Sequence, residues 1–164
     1  MQEQLGRLIL GPAAGARETG LSPERQTDRE AAFLLAQVPL FATLSKRHLG
    51  RVASVATAKR IPAQTPLVRA GEPADAFYVV LDGKARVEVP GRPVELAAGD
   101  FFGEMALIDG ERRSATVTTL SEVLVLTVPR ARFLALLEAE PKVALALMET
   151  LTRRLRDTQG ALER

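Results

Sequence analysis

Apolar and polar positions along the chain change their period twice. Over residues 28–56 apolar side chains recur at helical spacing: Phe33, Leu34 and Leu35 cluster together, and Leu49, Val52 and Val55 repeat every three residues. This predicts a helix over 28–37, capped by Thr27 or Asp28, with Phe33, Leu34 and Leu35 on its buried side and Pro39 ending it. A second helix, capped by Ser45, runs to Ala56. Over residues 58–128 the helical period gives way to short β-rich runs separated by Gly, Pro and Asp. Candidate strands are 58–61, 66–70, 76–81, 85–89, 94–96, 114–119 and 123–128. Turn residues separate them: Gly71 with Pro73, Asp82 with Gly83, Pro90 with Gly91, and Gly99 with Asp100. Asp82 and Gly83 suit a type I′ hairpin, which needs positive φ at both central residues. Many short strands at this spacing argue for a barrel or a jelly-roll sandwich.

Beyond Val128 the helical period returns. Pro129 suits a helix start, Phe133, Leu136 and Leu137 lie at core spacing, and Pro141 opens a last helix reaching Gln159. In it Val143, Leu147, Leu151 and Leu155 recur every four residues, with Ala144 and Met148 beside them, as one continuous apolar face. That face has two uses open to it: covering the β region and pairing with a second copy of the chain.

Composition narrows this picture. A chain of 164 residues that is 46% hydrophobic supports one complete core and is short for two domains. Residues 1–27, with Gly11, Pro12, Gly15, Gly20 and Pro23 among small and charged side chains, read as a flexible leader, and 28–164 as the domain. There is no cysteine, which excludes disulfides, thiolate metal sites and cysteine nucleophiles and fits the cytoplasm. Lys and Arg number 22 against 20 Asp and Glu, a net charge of +2 without a basic run, and no helix-turn-helix pattern is left over. Direct nucleic-acid binding is therefore not expected. The N-terminus lacks a signal-peptide pattern, and no stretch approaches the roughly 20 apolar residues of a membrane helix.

One segment breaks the strand pattern, FGEMALIDGERRSATV over 102–117. Gly103 lets the backbone approach a ligand closely, and 104–108 can form one helical turn whose first amides are unsatisfied, a site for an anion. Arg113 enters the next strand able to fold back over the same pocket, and its planar fork matches a phosphate. Glu104 would repel that phosphate unless it accepts from another part of the ligand, and a ribose hydroxyl is such a donor. The pocket asks for one phosphate charge and a sugar hydroxyl on opposite sides of a compact ring. A 3′,5′-cyclic nucleotide has that shape. Taken singly, Glu104 could only stabilise a helix N-terminus and Arg113 could be a solvated charge; their combination with Gly103 carries the reading.

These residues resemble the cyclic-nucleotide-binding domain family, which includes catabolite-activator-type regulators, kinase A regulatory subunits and cyclic-nucleotide-gated channel domains. The likeness extends over about 39–158. FGE, a short apolar run, a loop and Arg-Ser-Ala-Thr-Val are similar to the family's phosphate-binding cassette. GEPADAFYVVLDGKARV over 71–87 is similar to its glycine-punctuated hairpin, and AGDFFGE from Ala98 to its approach to the cassette. The resemblance implies that Glu104 accepts from the ribose 2′-hydroxyl and Arg113 pairs with the cyclic phosphate. Gly103 and Ala106 contribute backbone N–H groups, with Met105 between them, and Ser114 adds a phosphate contact. Arg154 and Thr158 in TRRLRDTQ fall where a last-helix Arg and Thr reach the purine. Two positions depart from the pattern. Arg112 stands where many members have Pro, so the loop is expected to be less rigid and to place a second positive charge near the phosphate. Ala74 replaces a Gly or acidic residue.

The implied fold class is mainly β with flanking α: an eight-stranded, jelly-roll-like β-barrel (a double-stranded β-helix) with N-terminal helices and C-terminal lid helices. The implied function is a cAMP or cGMP sensor that signals through its C-terminal helix to an effector protein, with a homodimer through that helix and no cofactor besides the nucleotide. No enzyme is expected. His48 is the one histidine, so an imidazole-rich metal site is excluded and His48 reads as structural. Ser54, Ser114 and Ser121 have no histidine partner in sequence context, and no GxxxxGK[ST] loop occurs. Two alternatives keep the fold: a scaffold that no longer binds ligand, and the sensor fragment of a longer transcription regulator or channel.

Overall fold

The computed structural model describes residues 23–89 and 91–162. α1 (Pro23–Leu35), a 3-10 turn (Pro39–Phe41) and α2 (Lys46–Val55) come first. Residues 23–27, expected in the leader, belong to α1; the rest of that leader lies outside the described residues, as does Pro90 of the expected turn before Gly91. Ser45 caps α2, its side chain accepting from the His48 N–H at 3.3 Å. Phe33 departs from expectation: it is 56% exposed, while Ala31, Ala32 and Leu35 face the core. Successive helical residues are turned by about 100°, so three in a row cannot share one buried face.

Eight strands follow: β1 (Thr57–Ile61), β2 (Pro66–Val68), β3 (Ala76–Asp82), β4 (Ala85–Glu88), β5 (Val94–Leu96), β6 (Phe101–Phe102), β7 (Thr116–Thr119) and β8 (Val123–Pro129). They form two antiparallel four-stranded sheets, ordered β1-β8-β3-β6 and β2-β7-β4-β5. This is the expected jelly-roll arrangement with helices at both ends. α3 (Glu104–Asp109) interrupts it between β6 and β7, and α4 (Arg130–Ala139) and α5 (Pro141–Leu162) close the described chain.

Alternation along β3 and β8 builds two cores at once. Phe77, Val79, Leu81, Leu124, Leu126 and Val128 pack with the helices, whereas Val80, Val123 and Val125 pack between the sheets with Val68, Phe102 and Val117. Both strands are covered on both faces, which is why 77–81 and 123–128 read as nearly unbroken apolar runs. β4 has one wet face, with Arg86 and Glu88 exposed, and its sequence alternates accordingly.

The β3–β4 connection is not the expected type I′ hairpin. The two strands lie in different sheets, and of the two turn residues only Gly83 has positive φ, at 87°. Its glycine answers a close approach: a Cβ there would lie 2.3 Å from the Glu122 carbonyl oxygen. Lys84 completes the corner, its N–H donating to Ser121 Oγ at 3.0 Å and its carbonyl accepting from Leu120 N at 2.8 Å.

α5 also differs from a single continuous apolar face. Val143 and Leu147 are buried and Leu151 partly so, but Met148 and Leu155 are more than half exposed, as is Leu145. The helix packs on the body through its first half and runs out along the surface through its second. Among the described residues, no helix is long and apolar enough to cross a membrane.

Candidate functional site

The segment after β6 is shaped by two glycines. Gly103 caps α3 with φ 90° and ψ 0°, and Gly110 ends it with φ 76°, its N–H donating to the Ala106 carbonyl at 3.1 Å. Asp109 Oδ1 then accepts from Glu111 N at 2.9 Å, turning the chain toward β7. The six-residue helix between them leaves its first-turn amides without intrahelical acceptors.

Arg113 is 5% exposed, far from the solvated charge its type would favour. Its Nη1 donates to the Gly103 carbonyl at 3.0 Å and its Nη2 to the Ala76 carbonyl at 2.7 Å, with Asp75 Oδ1 at 3.3 Å. Nε is buried and has no hydrogen-bond partner. Gly103 also has a steric task within the protein: a Cβ there would lie 2.6 Å from Arg113 Nη1, so the space is taken by the guanidinium. The backbone of Arg113 is held as well, its N–H donating to the Glu72 carbonyl at 2.9 Å and its carbonyl accepting from Gly71 N at 2.8 Å. Arg112 does not place a second charge in the cavity. Its Nη1 donates to the Gly71 carbonyl at 2.9 Å and ties the 69–72 loop to the cassette.

Glu104 is 3% exposed and lies at the start of α3, where the helix dipole favours a carboxylate. Burial pushes its carboxyl above the usual carboxylate range, while its own backbone N–H, then Arg154 and Arg113, pull the other way. Arg154 reaches it from α5, Nη1 to Oε1 at 3.5 Å, and also donates from Nη2 to the Phe101 carbonyl at 3.3 Å. The Arg154 guanidinium lies 4.7 Å from the Phe101 ring centroid, a cation–π distance.

All eight residues singled out in the sequence, Gly103, Glu104, Met105, Ala106, Arg113, Ser114, Arg154 and Thr158, line one cavity of about 590 Å³. Such a volume suits a small ligand. The residues are unequally placed. Ser114 and Met105 are exposed at the rim, and the Thr158 hydroxyl donates to the Arg154 carbonyl of its own helix at 2.9 Å.

Sequence reasoning missed the rest of the wall. Val68, Val87, Val89, Val94 and Val117 form an apolar side suited to a flat ring system. Below Arg113, Tyr78 stacks on Phe102 with centroids 4.9 Å apart and lies 5.7 Å from the guanidinium carbon. The Tyr78 phenol is raised by burial and by Asp75, and lowered by Arg113. Asp75 and Ala76 lie within the glycine-punctuated segment used for the resemblance, but nothing local ties them to an arginine 38 and 37 positions later.

The sequence model of the Cyclic nucleotide-binding domain family matches residues 58–140. A cyclic nucleotide-gated potassium channel of Mesorhizobium japonicum is 39% identical over 148 residues, covering 89% of this chain and 41% of the channel. The catabolite activator protein of Thermus thermophilus shares the fold at TM-score 0.69 and 31% identity, covering 76% of this chain and 62% of that one. The regulatory domain of Toxoplasma gondii PKA, crystallised with cAMP, has TM-score 0.65 and 28% identity, covering 83% and 54%. The chain spans about two fifths of the length of the channel relatives it matches.

Proposed function

The chain belongs to the cyclic nucleotide-binding domain family, and from that premise we propose that it is a sensor binding cAMP or cGMP in the cavity between the cassette and α5. The observation that carries this is a buried arginine and a buried carboxylate lining the same cavity, with helix amides beside them. The cyclic phosphate lies against Arg113, the first-turn amides of α3 and Ser114. Charge neutralisation there is strong because the guanidinium is shielded from water. The ribose 2′-hydroxyl donates to Glu104, and the purine packs on the valine wall beneath Arg154 and Thr158. No other cofactor takes part.

Signalling follows from the second half of α5. A ligand shifts a conformational equilibrium only by its differential affinity for the two states. Arg154 bonds Glu104, the carboxylate assigned to the ribose, so ligand and lid compete for or share one acceptor. α5 then moves relative to the cassette and reports occupancy to an effector protein in the cytoplasm. Its exposed residues Leu145, Met148, Leu155 and Leu162 alternate at intervals of three, seven and seven with Thr152 and Gln159 between them, the spacing of a two-helix seam. A second copy of the chain is the partner assigned to this seam. Met148→Glu with Leu155→Glu converts the dimer to a monomer in sedimentation equilibrium.

Thermal unfolding tests the ligand assignment. A cyclic nucleotide at one hundred times its Kd adds about 2.7 kcal/mol of stability, a rise of several degrees in Tm. A melting temperature unmoved by both cAMP and cGMP at millimolar concentration counts against the sensor and favours the ligand-independent scaffold.

A further inference from the structure

Four polar or charged side chains are buried among the described residues: Glu104, Arg113, Thr119 and Glu140. Two line the cavity. Thr119 closes the β1–β2 turn, its hydroxyl donating to the Pro62 carbonyl at 2.7 Å and accepting from Thr65 N at 2.8 Å. Glu140 has no such local task and lies away from the cavity, yet it is 3% exposed.

Its position in the chain is the informative part. Glu140 is the single residue between α4 and α5: its N–H donates to the Leu136 carbonyl at 2.8 Å, ending α4, and its carbonyl accepts from Val143 N at 3.0 Å and Ala144 N at 3.3 Å, starting α5. The carboxylate is held by the distant helix α2. His48 Nδ1 lies 3.3 Å from Oε2 and Arg51 Nη1 lies 3.3 Å from Oε1. His48 and Arg51 are three residues apart and so share one face of α2. That helix is fixed in turn by Val52, which is fully buried.

A buried carboxylate stripped of its partners is strongly unfavourable, so the pivot cannot swing freely while α2 stays in place. Arg154 lies fourteen residues beyond it, roughly 21 Å along a helix. Over that lever a 10° rotation displaces the arginine by roughly 4 Å, enough to break its contact with Glu104 at 3.5 Å.

We propose that Glu140, clamped by His48 and Arg51, is the positioning residue of the α5 pivot and couples the N-terminal helices to the lid over the cavity. This rests on the reading that α5 closes over a bound nucleotide. The clamp sets the angle at which α5 leaves α4, and a push on α2 from anything attached to the N-terminal side is delivered to Arg154.

The chain has no cysteine, so a pair of spin labels can be placed without background. Cysteines at Arg86, on the exposed side of β4, and Asp157, on the exposed half of α5, report the lid position by pulsed dipolar spectroscopy in the 164-residue chain diluted with unlabelled protein. Glu140→Gln broadens the ligand-free distance distribution and weakens cAMP binding about three- to tenfold. Arg51→Met acts in the same direction, and the double variant is no worse than Glu140→Gln alone, because both remove one interaction. Glu138→Gln, on the solvent side of α4, changes neither readout. Unchanged distributions and affinities in both Glu140→Gln and Arg51→Met overturn the clamp. Should Glu140→Gln fail to fold, Arg51→Met decides by the same two readouts, since its side chain is 45% exposed. A parent chain that binds neither cAMP nor cGMP overturns the sensor reading, while the ligand-free distributions still decide the clamp.

Discussion

The two walls of the cavity are built on different principles. On the cassette side, Arg113 and Glu104 are buried, Gly103 makes room for the guanidinium, the Gly103 and Ala76 carbonyls accept from it, and Gly71 and Glu72 hold the Arg113 backbone. On the lid side, Arg154 and Thr158 are exposed and belong to a helix whose buried contacts end near Leu151. The buried cassette side chains are held by protein partners, whereas the α5 side chains of this wall are exposed. In the proposed sensor, affinity for the nucleotide would belong mainly to the first wall, and the response to it mainly to the second.

Substitutions should separate the two in order of size. Arg113→Ala removes a buried charge and three hydrogen bonds to the wall, and should weaken cAMP binding by roughly tenfold to more than a hundredfold in calorimetry. If the loss is below threefold, the cassette does not dominate. Gly103→Ala puts a Cβ 2.6 Å from Arg113 Nη1 at φ 90°. It should destabilise the fold by about 1–3 kcal/mol in urea unfolding and displace the guanidinium, with a binding loss of about tenfold.

Glu104→Gln keeps an acceptor but loses the charge, so binding should weaken by about fivefold at neutral pH. Its pH behaviour is sharper. Burial raises the folded-state pKa of Glu104 above its ordinary 4.5. The unfolded state then sheds its proton first as pH rises. The cost of the ionised, buried carboxylate is absent below the unfolded value and complete above the folded one. The wild type should lose stability relative to Glu104→Gln as pH rises through that window, and the two should converge below about pH 4. Ribose binding to the ionised form gives the opposite trend in affinity: cAMP binding strengthens with pH in the wild type and stays flat in the variant.

Arg154→Ala should cost only about two- to fivefold in affinity, since its side chain is 43% exposed and its contact with Glu104 is long, at 3.5 Å. It should nonetheless abolish the ligand-induced change at α5. Thr158→Val should stay within about twofold, because its hydroxyl already donates within its own helix.

The same contrast explains what could be read along the chain. The strands of the two-faced core were legible because β3 and β8 carry apolar residues on both faces, and the cassette because its glycines, acid and arginine lie within one short segment. β6 was lost: two residues, Phe101 and Phe102, hold no period. The sheet change after β3 was lost because a Gly after Asp serves a hairpin and a corner equally; only the nearby Glu122 carbonyl decides. Asp75 and the valine wall come from other strands, and no local spacing links them to Arg113. The Glu140 clamp joins residues 89 positions apart, Arg51 to Glu140.

Calorimetric titration of the chain with cAMP, cGMP and linear 5′-AMP tests the central assignment most directly. A cassette shaped around a cyclised phosphate and a free 2′-hydroxyl predicts one cyclic nucleotide bound per chain at micromolar Kd or tighter, about −8 kcal/mol, with 5′-AMP at least about a hundredfold weaker. Equal affinity for the cyclic and linear forms, or no heat with either cyclic nucleotide, would contradict it.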